Sequence, residues 1–283
     1  MHQARSFVSS AGGAGIAPPQ RSRRARHREL KRTLAALQKD YASLHAALFE
    51  AAQVHRHLCA PRLVQYGDVD IASEVFAVRY LPGDFFAVEE TRGGLILALG
   101  DVCGKGLAAG MWTPCLVGLV RAHAGASSEP EEIVAAVNRE FCRMQAPLTS
   151  LFLARLDPTG AAIDYCSAGH PAALLLRAGG ELESLAQGGM LLGMSGDAPF
   201  RSGRLELGAG DLLLAYTDGV VEARNREDEE FGAERLEAQL RLVAGDPTDA
   251  VLYSILAAVQ DFAGAQPLGD DTSVVVVRPR QGR

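Results

Sequence analysis

The chain has 283 residues, 48% hydrophobic and 22% charged, with a formal charge of −6, which is enough for one large domain or a domain with an appended segment. No apolar run reaches the ~18 residues of a bilayer span and the start lacks a continuous apolar stretch, so neither a spanning helix nor a secretory leader is expected and the cytoplasm is the default location. Residues 1–28 hold six arginines and no acid, leaving 22 basic against 34 acidic side chains elsewhere; the body should repel nucleic acid, and residues 1–28 read as a disordered basic tail.

From Glu29 to Leu58 the spacing predicts one helix, with Leu30, Leu34, Leu37, Tyr41, Leu44, Leu48, Ala51, His55 and Leu58 alternating by four and three residues. A seam this narrow suits a two-stranded coiled coil better than a globular core, so a parallel homodimer through residues 29–58 is expected; the competing reading packs this helix on its own domain. Pro61 ends the pattern, giving a linker helix over 29–60 and a catalytic domain over 61–280. His55, His57 and Cys59 invite a zinc reading, but helical residues two apart point to different sides, and zinc is rejected there. Cys59, Cys103, Cys115, Cys142 and Cys166 are scattered and odd in number, and read as reduced thiols.

Strand signals follow over 69–81 and 93–102, with a hairpin-like Gly-Gly between them, then helices over 106–124 and 129–145. Short strands over 151–157 and 161–169 flank an Asp157 to Gly160 turn, and 173–178, 181–186 and 211–220 continue the run. Helices over 232–243 and 248–262 precede a buried strand over 272–278. Strands grouped around two helical pairs favour antiparallel sheets stacked between helical layers over a βαβ series.

The chemistry lies in where the aspartates fall. Asp84, Asp101, Asp218, and Asp270 with Asp271 each border an apolar strand. Taken singly, each reads as a turn former. If the strand ends converge, their like charges demand a compensating cation. Oxygen donors without histidine or cysteine at matching spacing select Mg²⁺ or Mn²⁺, and two such ions can activate water against a phosphorus atom. The segment GDVCGKGL is not a P-loop: Gly100 to Gly104 encloses three residues rather than four, and Gly106 follows Lys105 where Ser or Thr is needed.

The motifs GDVCGKGLAAGM, AGHPAALLL, LLLAYTDGVVEARN and GDDTSVVVV, in this order over roughly residues 50 to 278, resemble those of the SpoIIE/RsbU-like branch of PP2C-type protein phosphatases. The resemblance implies an α+β fold: an α/β/β/α sandwich of two antiparallel sheets flanked by helices, here preceded by the heptad helix. It implies two Mn²⁺ or Mg²⁺ ions, a phosphoserine or phosphothreonine protein as substrate, and a STAS-type anti-sigma antagonist as partner. On the matching positions it makes Asp84, Asp101, Asp218 and Asp270 catalytic metal ligands, with the Val102 carbonyl beside them and Asp271 either coordinating or hydrogen-bonding. Lys105 and Gly104 are candidate phosphate contacts, against the reading of a solvated lysine in a glycine turn. His170 either packs under the site or approaches it, with a structural role preferred; Asn225 has no assigned role.

The segment departs from the family where PGDFFA replaces a GGDFYD-like run, with Pro82 for a glycine and Ala87 where a second acid is frequent, which implies weaker occupancy of one metal subsite. Cys103 stands near the place of the histidine in DGHGG enzymes, leaving the general acid unassigned. In the family a helix before the catalytic domain couples an input to the metal site. The 28 residues before this helix are too few for a sensory domain. Two other classes remain to be weighed: a non-catalytic phosphoprotein scaffold and a hydrolase of small phosphate esters.

Overall fold

The computed structural model describes residues 23–59, 64–127 and 129–280. In chain order these form α1 (Arg23–Cys59), β1 (Val64–Tyr66), β2 (Val69–Phe76), β3 (Asp84–Thr91), β4 (Gly94–Val102), α2 (Leu107–Ala124), α3 (Pro130–Met144), β5 (Thr149–Leu156), β6 (Ala162–Ala168), β7 (Ala173–Leu176), β8 (Leu182–Leu185), β9 (Gly188–Gly189), β10 (Gly203–Glu206), β11 (Leu212–Tyr216), α4 (Asp218–Val221), α5 (Gly232–Leu242), α6 (Thr248–Ala263) and β12 (Thr272–Pro279). One sheet runs β1-β2-β12-β11-β7-β8; the other runs β10-β6-β5-β4-β3, with β9 joining β6. All pairings are antiparallel except the short β6–β9 contact.

Period-two alternation builds the layers. Phe86, Leu97, Leu99 and Phe152 from one sheet meet Ile71, Leu213, Val275 and Val277 from the other in a shared inner core. The opposite faces are covered separately. Ile96, Ala98, Leu151 and Leu153 pack under α2 and α3, while Leu212, Leu214, Val274 and Val276 pack under α5 and α6. Helix, sheet, sheet and helix layers therefore stack in the expected α/β/β/α order.

Three elements differ from the sequence expectation. Residues 69–81 are not one strand: β2 stops at Phe76, and β3 begins at Asp84 in the other sheet. The crossover is pinned by Asp271, whose Oδ1 accepts from Val78 N at 2.8 Å and whose Oδ2 accepts from Gly83 N at 2.8 Å. The Gly93-Gly94 hairpin accordingly joins β3 to β4. Secondly, α1 starts at Arg23, so residues 23–28 of the expected tail are helical, as arginine's good helix propensity permits; residues 1–22 lie outside the described residues, as does Pro61. Thirdly, β3 was not foreseen as a strand of its own, and neither were β1, β9, β10 and α4, which are two to four residues long and too short for periodicity to register.

The chain divides into two compact units at Ala47/Leu48, within α1. In the first unit Leu30, Leu34, Leu37, Tyr41 and Leu44 are all more than half exposed among the described residues. In the second unit the buried residues of α1 are His55 and Cys59, while Leu58 is exposed. The seam thus gives way to a face reading 55 and 59, one helical turn apart. His55 Nε2 bonds Thr113 Oγ1 of α2, and because that hydroxyl donates to Gly110 O at 3.0 Å, the imidazole is the donor. His57 points outward, so no His-His-Cys cluster forms. No described helix is long and apolar enough to cross a membrane.

Candidate metal centre

The inner faces of both sheets turn polar at one end. Asp84 pairs with Asp101 across β3–β4, and Asp101 with Ser150 across β4–β5. Directly opposed residues share a face, so the three form a row that continues the inner positions Phe86, Leu99 and Phe152. From the facing sheet, Thr217 and Ser273 continue the inner positions Ala215 and Val275. Thr217 Oγ1 donates to Asp84 Oδ2 at 2.7 Å, Ser273 Oγ donates to the same oxygen at 2.6 Å, and Ser273 N donates to Thr217 Oγ1 at 3.0 Å. Asp84 is thereby held across the interlayer space while only 2% exposed.

Asp218 opens α4 directly after β11, and Asp270 lies in the loop before β12. Gly219 permits their approach: a Cβ there would run into the Asp271 carbonyl oxygen. Gly83 permits another. The place its Cβ would take lies 3.0 Å from Asp101 Oδ1 and 3.0 Å from the Val102 carbonyl, so these two oxygens face one cradle.

The electrostatics record the crowding. Burial, then the charges of Asp218, Asp270 and Asp271, push the Asp101 carboxyl up to about 7, partly offset by a hydrogen bond with Asp84. Asp84 is raised well above the usual carboxylate range by burial and by Asp101, against the Ser273 and Thr217 hydroxyls. Asp218 is raised by burial and by Asp270. Asp271 is raised by burial, although the Val78 and Gly83 amides oppose this. Carboxylates predicted from four distant segments therefore share one field.

The donor set suits a hard cation: carboxylate and carbonyl oxygens only, mutually repelling without one. Among the described residues no three His, Cys, Asp or Glu side chains close on a single point as a ready-made cage.

The other candidates are placed as follows. Lys105 lines the mouth of the site, where its ammonium pairs with Asp270 Oδ2 at 2.8 Å and donates to Gly269 O at 3.0 Å. Gly104 adopts φ 121°, which requires glycine, and makes the turn. Pro82 is buried just before β3, and Ala87 lies in the apolar layer under α2. Asn225 caps its own loop, its Oδ1 accepting from Glu227 N and Glu229 N. His170 is buried beside the site and bonds Ser150. A cleft of about 420 Å³ borders the site, lined by Lys105, Glu222, Arg226, Gly269 and Asp270 among others. Sequence reasoning missed Ser150, Thr217, Ser273 and Glu222; parity along 211–217 and 271–277 carries the signal for Thr217 and Ser273.

Sandwich and site together define a PP2C-type domain. The SiaA-PP2C domain of Pseudomonas aeruginosa superposes with a TM-score of 0.73 over 86% of this chain and 99% of that one, at 20% identity. The catalytic domain of the serine/threonine protein phosphatase PstP, solved with two manganese ions, superposes with a TM-score of 0.54 over 75% and 99%, at 20% identity. More narrowly, the Stage II sporulation protein E (SpoIIE) family matches residues 91–280, and the chain belongs to that family. It is 23% identical over 233 residues to the phosphoserine phosphatase RsbU of Bacillus subtilis, covering 81% of this chain and 68% of that one. Of two further curated relatives it spans 36% and 40% of the length.

Proposed function

We propose that this protein is a metal-dependent phosphatase that hydrolyses phosphoserine or phosphothreonine on a protein substrate. The observation that carries the reading is the meeting of Asp84, Asp101, Asp218 and Asp270 at the polar end of the inner layer, with Asp101 pushed up to about 7 by burial and then by the charges of its neighbours. We assign these four carboxylates and the Val102 carbonyl as the groups that hold two Mn²⁺ or Mg²⁺ ions. When bound, paired divalent ions neutralise phosphoryl charge and acidify water at neutral pH.

The chain's own residues do the rest. Thr217 and Ser273 fix the Asp84 carboxylate, so that little reorganisation is needed on loading. Lys105 orients the Asp270 loop through its carboxylate and the Gly269 carbonyl. Asp271 ties the crossover before β3 to the start of β12 with both its oxygens, which supports a positioning role in preference to a ligand role. The bordering cleft is open and polar, suited to a phosphorylated loop on a protein. A STAS-type antagonist, dimerisation through residues 29–58 and a cytoplasmic setting complete the proposal, supported by the exposed heptad seam and by the likeness to RsbU.

The test is Mn²⁺-dependent release of phosphate from a phosphoserine peptide by the purified protein, alongside Asp218→Asn. The reading expects turnover that EDTA abolishes and the variant loses. Equal turnover in EDTA would remove the metal chemistry; binding of the phosphopeptide without any turnover would favour a scaffold.

A further inference from the structure

One wall of the cleft beside the metal centre is the loop after α4, and that loop is held by its own bonds. Phe231 N donates to Ala223 O at 2.8 Å and Asn225 N to Glu229 O at 3.0 Å, so its two arms run side by side, with Arg224 bridged to Glu230. At the tip, Asp228 N closes a turn onto Asn225 O at 3.2 Å. The Asn225 side chain accepts from Glu227 N at 3.0 Å and from Glu229 N at 2.9 Å, as an Asx turn does. Arg226 takes the second position of this turn, so its backbone is placed before any substrate arrives.

The cations lining the cleft are Lys105, Arg224 and Arg226. Lys105 pairs with Asp270 at 2.8 Å. Arg224 pairs with Asp228 at 3.3 Å, donates to the Asp228 carbonyl at 2.9 Å and bonds Glu230. Glu229, next along the loop, accepts from Asn225 Nδ2 at 3.0 Å and faces Arg235. Arg226 differs: it is exposed, and among the described residues its guanidinium makes no hydrogen bond or ion pair. It shares the cleft with Gly219 and Asp270 of the metal centre.

Charge decides what this side chain can meet. The acids lining the same cleft are Glu222, Asp228 and Asp270, which repel a negatively charged stretch of substrate. Phosphoryl charge falls to the ions that the four aspartates hold. A second negative group close to it on the substrate meets the open guanidinium of Arg226, whose planar fork matches a carboxylate. Because the turn is already ordered, little backbone freedom is lost on binding.

We propose that Arg226 is a specificity-determining residue: its guanidinium pairs with a carboxylate side chain flanking the phosphorylated residue of the protein substrate, and so favours acidic phosphosites. The inference rests on the phosphatase reading above.

The experiment measures Mn²⁺-dependent kcat/KM on two phosphoserine peptides that differ only in carrying aspartates or alanines on both sides of the phosphoserine. The aspartate-to-alanine ratio is taken for wild type, Arg226→Ala, Arg226→Glu, Arg226→Lys and Arg92→Ala. Arg92 is exposed in the turn between β3 and β4, at the opposite end of β3 from Asp84, so its loss removes the same charge away from the cleft. In Arg226→Ala the ratio should fall by about 3-fold to 10-fold, as for a partly desolvated ion pair. Arg226→Glu should lower it further, since repulsion replaces attraction; Arg226→Lys should keep part of it, and Arg92→Ala all of it. A wild-type ratio in Arg226→Ala overturns the proposal, including the case where both peptides lose equally, which marks a contact with the phosphoryl group itself. Equal falls in Arg226→Ala and Arg92→Ala overturn it too, because net charge alone then sets the preference. A wild type that hydrolyses neither peptide brings down the phosphatase reading, whereas turnover of both with a ratio indifferent to residue 226 brings down this inference alone.

Discussion

Stripping the metal should invert the usual response of a folded protein to rising pH. In the absence of ions, Asp101 holds its proton up to about 7, whereas an unfolded carboxylate releases it near 3.8. Between these values the folded chain binds more protons than the unfolded one, so stability is fully present below the lower value and falls as pH rises through the window. At ~1.4 kcal/mol per unit, and allowing for partial exposure, the loss is on the order of 2–4 kcal/mol. Asp84, raised for the same reasons, adds in the same direction. Asp157 and Asp211, whose carboxylates are held below the usual range, act oppositely under acid conditions, and His170 and His55, whose imidazoles are lowered by burial, oppose it up to about pH 7, so the Asp101 contribution is read against Asp101→Asn. Mn²⁺ replaces the lost protons: an ion at about 100 times its Kd contributes about 2.7 kcal/mol, or about 5–10 °C in a domain of this size. Melting curves at pH 5, 6, 7 and 8, with EDTA and with Mn²⁺, provide the assay. Relative to Asp101→Asn, which lacks the titrating group, the wild-type EDTA series should fall from pH 5 to 8, and the wild-type Mn²⁺ increment should be larger at pH 8. A wild-type series that does not fall relative to Asp101→Asn would refute the argument that these carboxylates crowd one another.

Further predictions concern single residues. Thr217→Val leaves the Ser273 amide unpaired and Asp84 with one hydroxyl donor fewer; urea unfolding in EDTA should show a loss of about 1–3 kcal/mol, and an unchanged midpoint would contradict the network. Gly219→Ala forces a methyl group onto the Asp271 carbonyl, so it should cost about 1–3 kcal/mol and shrink the Mn²⁺-induced rise in melting temperature; a wild-type response would show that the two loops have room to spare. Leu37→Asp and Leu44→Asp place charges on seam positions that are 64% and 61% exposed in the single chain. Each should convert a dimer into a monomer by sedimentation analysis, and a monomeric wild type would refute the coiled coil.

Much of this site was legible because a strand's parity is local. An aspartate at the end of an apolar strand is fixed to one face by its neighbours, so Asp84 and Asp101 could be foreseen as strand-end carboxylates, and Asp218 and Asp270 as loop carboxylates beside strands. What the residues at 69–81 did not disclose was a change of sheet, since that depends on Asp271, nearly two hundred residues away, gripping Val78 and Gly83. The same non-locality hid the pairing of Lys105 with Asp270, and the hydroxyl pair on Asp84, whose meaning emerges only when the sheets are stacked. Heptad spacing correctly marked a long helix, but it did not show where the seam ends: by His55 and Cys59 the buried face is decided by contact with α2.

The most direct measurement of the central claim is anomalous diffraction at the manganese edge from crystals of the full chain grown with Mn²⁺. The account predicts two peaks in the space framed by Asp84, Asp101, Asp218 and Asp270, both lost in Asp218→Asn. Fully occupied manganese elsewhere on the surface, with that space holding only water, would contradict it.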